Sequence, residues 1–249
     1  MKTIDYKTKR KYDGYLKGSK AFAIIGLIIA VLGLIVIVGS IIRISQLTGK
    51  YMWFEEWKYN TGNSISTPLS VGDLDGNGDL EVVIGSYDTN VYAVKADNGA
   101  KLWSYSVSNS IYSTIVLGDV DGKDGLEVVL KGDNYKIITL NGNNGTLFWN
   151  FTIGGTSKTS PSLGDIDSDG DLEIFVAGGV DKLYAFEGSN GTQIWNSTVG
   201  PMVYTSPVLG DLDKDGSLEV IAGNYGGDIY ALVASNGTEL WNVSTYVPL

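Results

Sequence analysis

Two residue types that commonly build catalytic and metal sites are missing from this chain. Its 249 residues include neither cysteine nor histidine. Without cysteine there can be no disulfide bond, no thiolate metal site and no thiol nucleophile. Without histidine, a Ser-His-Asp triad, a histidine zinc site and a haem with an axial histidine are all excluded. Any metal chemistry must therefore rest on oxygen ligands.

Positive charge is scarce, and it is concentrated in the first 20 residues of the chain. Lysine and arginine number 18 against 28 aspartates and glutamates, a net charge of −10. This balance argues against nucleic acid as a partner. Seven of the basic residues fall within residues 1–20, whereas 26 of the acidic residues follow Ile42. The average charge therefore hides a basic segment and an acidic segment.

An uncharged apolar run of 22 residues, residues 21–42, separates these two segments. A helix of that length extends about 33 Å, enough to cross a hydrocarbon core of about 30 Å. The preceding basic residues favour a cytoplasmic N-terminus. We predict a basic cytoplasmic tail at 1–20, a transmembrane helix at 21–42, a juxtamembrane linker at 43–56 and an extracellular repeat domain at 57–249. A cleaved secretory signal and a pilin-like leader are alternative interpretations of the same run.

Glycine is abundant, with 33 residues, and part of it recurs at a fixed interval. Gly-Asp pairs begin at Gly72, Gly118, Gly164 and Gly210, 46 residues apart. Tryptophan recurs with the same period, at Trp57, Trp103, Trp149, Trp195 and Trp241. Two independent markers with one period indicate four copies of a single structural unit.

Each unit shows the pattern of four short strands. In the first copy we predict strands at Ile65–Val71, Leu80–Gly85, Asn90–Lys95 and Lys101–Val107, rich in Val, Ile, Tyr and Trp and separated by Gly, Asn and Asp. Four strands per repeat of this length are typical of a β-propeller blade. The predicted fold is therefore all-β, a propeller of four four-stranded blades. A β-solenoid is the alternative, although its rungs are usually shorter.

The loop between the first two predicted strands concentrates acidic side chains. Residues at positions 1, 3, 5, 7 and 9 of a nine-residue stretch carry oxygen, with glycine at position 6. Several carboxylates so close together repel one another unless a cation lies among them, and an all-oxygen set without His or Cys selects Ca²⁺. We expect side chains at positions 1, 3, 5 and 9 and a backbone carbonyl at position 7 to bind it. The predicted ligands are Asp73, Asp75, Asn77, Asp79 and Glu81; Asp165, Asp167, Asp169, Asp171 and Glu173; Asp211, Asp213, Asp215, Ser217 and Glu219.

The loop at 119–127 departs from this pattern because Lys123 stands at position 5 and the glycine has moved from position 6 to Gly125, at position 7. We predict weak or no calcium binding there. An EF-hand is excluded, because position 12 is apolar in every copy and a strand follows where a helix is required. The remaining alternative is that these Asp-Gly runs are hairpin turns only, although a turn alone does not need four acidic residues.

Two family resemblances follow from these motifs. The segment GDLDGNGDLEVVIGS at residues 72–86 resembles the FG-GAP (integrin-α-like) repeat. The segment IYALVASNGTELWNVS at residues 229–244 resembles the PQQ-like propeller repeat. Together they imply β-propeller architecture over about residues 57–245, and the acidic loops resemble the β-hairpin calcium loops of FG-GAP blades.

The number of tryptophan strands leaves ring closure open. Five such strands accompany four sets of the other three strands, so one is surplus. A tight four-bladed ring, an open arc and a ring made by two chains all remain possible outcomes. Because an uncovered strand edge invites strand addition, pairing of end strands between two chains is a further expectation.

The predicted function is non-enzymatic: a membrane-anchored, extracellular β-propeller, stabilised by calcium, that serves as a cell-surface binding, adhesion or scaffold protein. Its expected partners are the membrane and an extracellular protein or glycan. A quinoprotein-like, PQQ-dependent dehydrogenase is one alternative, suggested by the PQQ-like half of each repeat. A structural subunit of a surface filament is the other.

Overall fold

The computed structural model describes residues 56–65, 67–132, 135–155, 159–179 and 181–245. The regular structure of these residues is β, in four antiparallel sheets of four strands each. The predicted cytoplasmic tail, the predicted transmembrane helix and the linker up to residue 55 lie outside the described residues. Within the described part of the chain, no helix has the length and apolar character needed to cross a membrane.

Each sheet is one repeat with its strands in chain order. The first blade holds β1 (Ser70–Gly72), β2 (Glu81–Gly85), β3 (Asn90–Lys95) and β4 (Lys101–Ser106). The second holds β5 (Val116–Gly118), β6 (Glu127–Gly132), β7 (Lys136–Leu140) and β8 (Leu147–Thr152). The third holds β9 (Ser162–Gly164), β10 (Glu173–Gly178), β11 (Lys182–Phe186) and β12 (Gln193–Thr198). The fourth holds β13 (Val208–Gly210), β14 (Glu219–Gly223), β15 (Asp228–Val233) and β16 (Glu239–Ser244).

The prediction of four-stranded, all-β repeat units is confirmed, and three of the first copy's four strands match to within one residue. The first strand was predicted too long, because β1 begins only at Ser70 and pairs with β2 over three residues. Pro68 cannot donate a hydrogen bond to a ladder, which disfavours extending the strand through it. The carbonyl of Ser64 instead accepts a hydrogen bond from the Tyr87 amide at 3.0 Å.

The core lies between consecutive blades. β2, β6 and β10 are buried along their whole length, because each has a neighbouring layer on both faces. Val83 of the first blade, for example, belongs to the same apolar cluster as Leu130 and Ile138 of the second. Equivalent clusters join the second blade to the third and the third to the fourth. Blade stacking therefore supplies the apolar burial that no single blade achieves alone.

The repeated tryptophans fix this stacking. The hairpin between the third and fourth strands of a blade, here called the outer hairpin, receives the indole of the preceding tryptophan. The space is tight: a Cβ placed on Gly145 would lie 2.5 Å from the Trp103 ring. The indole Nε1 donates to a hairpin carbonyl in four cases: Trp57 to Ala96 at 2.9 Å, Trp103 to Gly142 at 2.6 Å, Trp149 to Gly188 at 2.7 Å and Trp195 to Ala234 at 2.7 Å. Trp103, Trp149 and Trp195 therefore pack between neighbouring blades, and Trp57 makes the same contact with the first blade from the segment that precedes it.

Trp241 is the exception. Its side chain is 44% exposed, whereas Trp103 and Trp195 are 7% and 8% exposed. At the other end of the repeat domain, Val71 and Leu80 of the first blade are 57% and 52% exposed. A closed ring would bury these residues against one another. In the described part of the chain, the first and fourth blades therefore do not close on each other through these faces.

Candidate metal centres

Each acidic loop, the connection between the first and second strands of a blade, brings three carboxylates together. In every copy, one carboxylate oxygen from each of positions 1, 3 and 9 lies within 4.8 Å of the other two. The groups are Asp73, Asp75 and Glu81; Asp119, Asp121 and Glu127; Asp165, Asp167 and Glu173; Asp211, Asp213 and Glu219. The loop predicted to bind metal poorly has thus the same carboxylate triad as the other three.

The glutamate at position 9 is held inside by the sheet. It opens the second strand of its blade and pairs with the glycine that ends the first, as Glu81 does with Gly72. One carboxylate oxygen, Oε2, accepts a hydrogen bond from the backbone amide at position 2 of the same loop. The donors and distances are Leu74 to Glu81 at 3.0 Å, Val120 to Glu127 at 3.1 Å, Ile166 to Glu173 at 2.8 Å and Leu212 to Glu219 at 2.8 Å.

The aspartate at position 1 accepts hydrogen bonds from backbone amides of its own loop. Asp73 accepts from the amide of Asn77 through Oδ1 at 3.1 Å and from that of Gly78 through Oδ2 at 2.8 Å. Gly78 has φ of 90° and nothing within 4 Å of an added Cβ. Its glycine is therefore required by the left-handed backbone and not by space.

The side chain at position 5 accepts a hydrogen bond from the backbone amide at position 7 in three of the loops. The Asn77 side-chain oxygen accepts from the Asp79 amide at 2.7 Å, and Asp215 accepts in the same way from Ser217 at 2.7 Å. Asp169 accepts from the Asp171 amide at 2.9 Å. The carboxylate triads include neither position, so the structure joins the predicted ligands of positions 1, 3 and 9 only. Binding through positions 5 and 7 stays a prediction.

The third loop contains a buried carboxylate oxygen without a partner. Glu173 is 1% exposed, and its Oε1 has no hydrogen-bond partner among the described residues. Burial raises the pKa of Glu173 to about 7, against the amide of Ile166, and the Asp167 charge adds to the increase. Burial of a carboxylate oxygen without a partner is costly, and a cation held between Glu173 and the two aspartates would offset that cost. The all-oxygen donor set fits Ca²⁺.

The second loop already contains a positive charge. The Lys123 ammonium lies 2.6 Å from Asp121 Oδ2. This hydrogen bond and the Asp121 charge raise the pKa of Lys123. The lysine stands at position 5, where the other loops have Asn77, Asp169 and Asp215. This contact supports the prediction that loop 119–127 binds calcium weakly or not at all.

A position outside the loops gives the sites different electrostatic surroundings. In the third blade this position holds Glu187, whose pKa is raised by burial and by Asp167 and Asp169. In the first blade, 92 residues earlier, it holds Lys95. The positive charge of Lys95 acts to lower the pKa of Glu81, against the increase that burial causes. Sequence analysis missed this pair. Comparing the copies at one phase, meaning at equivalent positions 46 residues apart, would have found it.

Lys131 is a second feature that sequence analysis missed. It is 3% exposed, and its ammonium donates to the carbonyl of Ala177 in the next blade at 2.8 Å. The same phase holds Gly85, Ala177 and Gly223 in the other copies. A lysine where every other copy has a small residue was the available signal.

Comparisons with known proteins agree with this architecture. A family model for an FG-GAP-like repeat matches residues 165–222. The crystal structure of BamB from Moraxella catarrhalis is similar, with 17% identity, a TM-score of 0.56, and coverage of 76% of this chain and 55% of that one. A europium-containing methanol dehydrogenase matches with 14% identity and a TM-score of 0.54, covering 67% of this chain and 40% of that one. BBS1N in complex with ARL6DN matches with 14% identity and a TM-score of 0.55, covering 74% and 58%.

These identities show a shared fold and nothing more specific. The chain spans about half the length of these structures. No curated protein matches the sequence. The family model described as outer membrane protein assembly factor BamB matches residues 38–165, more than half of the sequence, and the chain therefore belongs to this family of PQQ-like β-propeller proteins.

Proposed function

We propose that the protein is a non-enzymatic binding or scaffold protein of the cell surface, built on a β-propeller that calcium stabilises. The observation that carries the calcium part is Glu173, a buried carboxylate with an unpartnered oxygen beside Asp165 and Asp167. The same triad in the first and fourth loops extends the proposal to three calcium sites.

The calcium ion acts structurally in this proposal. Each triad connects the first strand of a blade, through the aspartates that follow it, to the glutamate that opens the second strand. Without a cation, repulsion among the three carboxylates opposes the pairing of these two strands. A bound ion removes that repulsion and compensates the desolvation of the buried glutamate.

The scaffold part rests on the repetition of the blades. All four keep one strand order, one period and a β-bulge at the same place, between Ala93 and Val94 in the first blade and at equivalent positions in the others. No insertion among the described residues breaks this regularity to form a distinct catalytic subdomain. Stacked repeats offer extended surfaces for binding, and the family model is described as an outer membrane protein assembly factor. Assembly or adhesion of surface proteins is the concrete version that we propose.

The surface location comes from the sequence. The uncharged run at 21–42 and the basic residues before it favour a single-pass anchor with the repeat domain outside the cell. An extracellular position also suits calcium sites of modest affinity, because calcium is abundant there. Partners would be extracellular proteins or glycans.

The dehydrogenase alternative has no specific observation in its favour. The likeness to a europium-containing methanol dehydrogenase amounts to 14% identity and concerns the fold. The acidic clusters repeat once per blade, whereas a catalytic centre needs a unique set of residues at one place.

Calorimetric unfolding of the full-length chain in detergent, with calcium or with a calcium chelator, tests the proposal. At calcium 100 times Kd, each site contributes about 2.7 kcal/mol. Loss of one such site lowers Tm by about 5–10 °C for a domain of this size. We expect chelation to lower Tm by more than one such step and magnesium to restore little of it. An unchanged Tm after chelation would refute calcium stabilisation.

A matched assay addresses catalysis. The full-length chain is supplied with calcium and pyrroloquinoline quinone, and reduction of an acceptor dye is followed with a set of primary alcohols. We expect no turnover above the protein-free background. Quinone-dependent dye reduction would refute the non-enzymatic assignment.

A further inference from the structure

The three internal junctions between blades share one interlocking contact. The glycine that ends the first strand of a blade accepts two leucine side chains from the next blade. A Cβ placed on Gly118 would lie 2.4 Å from Leu163 Cδ1 and 2.9 Å from Leu172 Cδ1. The equivalent contacts are Gly72 with Leu117 and Leu126, and Gly164 with Leu209 and Leu218. These glycines are needed for close approach, since any side chain would displace the leucines.

A hydrogen bond beside this contact joins the same strands. Ser70 Oγ of the first blade donates to the carbonyl of Ile115, in the second blade, at 2.5 Å. Ser162 of the third blade makes the same bond to the carbonyl of Pro207 in the fourth. Each junction thus has two unlike sides. We call the side with the glycine and the outer tryptophan the donor side, because its indole donates a hydrogen bond. The side with the two leucines and the outer hairpin, whose carbonyl accepts that bond, is the acceptor side.

The fourth blade has a donor side that meets no acceptor. A Cβ on Gly210 would have no described heavy atom within 4 Å. Leu212 is 44% exposed, while its counterpart in the first blade, Leu74, is 1% exposed. The fourth blade also exposes Val208 and Leu212 next to Gly210, and Trp241 and Val243 on its outermost strand, β16. We name this set with Gly210 the donor face of the fourth blade.

The first blade has the complementary defect. Val71 and Leu80 stand at the phase of the leucines that fill each junction glycine. They are 57% and 52% exposed, whereas Leu117 and Leu126 are half-buried against the first blade. Leu69, 53% exposed, stands at the phase of Ile115, next to the inter-blade hydrogen bond. We name these three residues the acceptor face of the first blade.

We propose that the donor face of the fourth blade binds the acceptor face of the first blade of a second copy of this chain. The chain itself contains three examples of this interface, so the fit of the two surfaces follows from the repeat. Val71 and Leu80 of the second copy fill the space at Gly210, and Val208 lies against Leu69. Exposed apolar patches of this kind mark interaction surfaces. The contact uses stacked blade faces, not the edge pairing of end strands expected from the sequence.

Two aromatic residues must change place when the copies associate, because Trp57 and Tyr59 pack against the buried apolar cluster of the first blade that contains Val82, Ile84 and Val94. The outer hairpin of the first blade, with Ala96 and Gly99, already holds Trp57. Trp241 of the first copy needs the same position on the second copy. Because each hairpin accommodates one indole, Trp57 is displaced and Trp241 replaces it at the Ala96 carbonyl. Trp57 therefore competes with self-association.

The interface joins unlike surfaces, so it forms either a closed pair or a longer chain of copies. Both contain the same junction. The proposed contact does not require a bound ion, because no residue of the two faces is a member of a carboxylate triad.

Cross-linking of single-cysteine variants tests the contact directly, since the natural chain has no cysteine. Full-length Val208→Cys and Leu69→Cys proteins are mixed in detergent and treated with a short thiol cross-linker. We expect a covalent dimer from the mixture and little from either variant alone. Val208→Cys mixed with Leu102→Cys is the control, because Leu102 is exposed on β4 away from the junction positions. Absence of the mixed dimer, or equal yield in the control, would overturn the proposal.

Sedimentation velocity measures how much individual side chains contribute to self-association. Leu80→Lys should weaken self-association about tenfold or more, because a buried leucine is replaced by a charge. Leu240→Lys is the matched control, since Leu240 is 47% exposed and its phase holds exposed residues in every blade. Trp57→Ala should strengthen association and Trp241→Ala should weaken it. The proposal would be refuted if the protein stayed monomeric at all concentrations. It would also be refuted if the residues before 56 protected Gly210, or if a different protein bound in place of a second copy.

Discussion

The second and third acidic loops have the same carboxylate triad, yet they differ in the position of a left-handed glycine, Gly125 against Gly170, and in how the charge is balanced. In the second loop Lys123 places its ammonium against Asp121. In the third, Asp169 stands at the same position, and Glu173 keeps a buried oxygen without a partner. The repeat thus brings the same three carboxylates together, while the residue at position 5 decides whether a positively charged side chain lies beside them.

The largest expected effect comes from removing the unpartnered carboxylate. We predict that Glu173→Gln abolishes one calcium site and reduces the calcium-dependent increase in Tm by about 5–10 °C, corresponding to about 2.7 kcal/mol at calcium 100 times Kd. Without calcium the variant should be at least as stable as the parent, because a neutral amide replaces a carboxylate that burial disfavours.

Scanning calorimetry with and without calcium measures both effects. Asp97→Asn is the matched control, because Asp97 is exposed in an outer hairpin and Asn143 occupies the same phase of the second copy. An equal loss of calcium response in both variants would show a general charge effect and no site at Glu173.

The pH dependence should reveal the same carboxylate. The pKa of Glu173 is about 7 in the folded chain, raised from 4.5 chiefly by burial. The folded state therefore holds a proton between pH 4.5 and 7 that the unfolded state has released, so the calcium-free protein loses stability as pH rises through this window. We expect a loss of about 2 kcal/mol, present without calcium and reduced in Glu173→Gln.

Denaturant unfolding at pH 5 and pH 8 measures this difference. Glu127, whose pKa burial also raises to about 7, contributes a similar slope that the Gln variant leaves unchanged. A calcium-free protein equally stable at both pH values would contradict the prediction.

Converting the second loop into the third should add a site. We predict that Lys123→Asp raises the number of bound calcium ions from three to four, because it removes the internal ammonium and supplies an oxygen at position 5. The gain in stability in calcium should be about 1–2 kcal/mol, with a loss when calcium is removed.

Isothermal titration measures the stoichiometry. Lys214→Asp introduces the same charge change at position 4 of the fourth loop and should leave the number of ions unchanged. An unchanged count for Lys123→Asp would show that a residue other than Lys123 limits the second loop.

The smallest expected effect concerns the neighbour of each loop. Glu187→Gln removes a negative charge near the third loop and should weaken its calcium affinity about fivefold, or about 1 kcal/mol. Lys95→Gln removes a positive charge near the first loop and should strengthen that site by a similar factor. Titrations at low and high salt check the electrostatic origin, because added salt should reduce both changes. Changes of the same sign in the two variants would contradict it.

Much of the fold was predictable because two separate sequence markers show the same repeat. Gly72-Asp73 and Trp103, with their copies, mark the same 46-residue period, and alternating Val, Ile and Tyr between Asn-Gly and Asp-Gly turns defines strands locally. The start of β1 was predicted wrongly because the pairing of an inner strand depends on its partner, and Pro68 disfavours a longer ladder.

The candidate sites were predictable in part. Positions 1, 3 and 9 come together because the loop is short and its glutamate is anchored by β2, both local properties. The roles of Lys131 and Glu187 were not apparent, since each acts on a group in another strand or blade. The glycines that end the first strands were assigned to turns alone, and the leucines that approach them come from a neighbouring blade.

The sequence by itself determined the four-fold repeat, the strands within each blade and the carboxylate triad of each loop, because these depend on residues within one 46-residue unit. Only the tertiary structure decided which of the two end tryptophans, Trp57 or Trp241, is covered. It also decided how deeply Glu173 is buried, and that Gly210 and Leu80 remain exposed. These properties depend on contacts between blades, and the chain pattern of one blade carries no information on whether another blade lies against it.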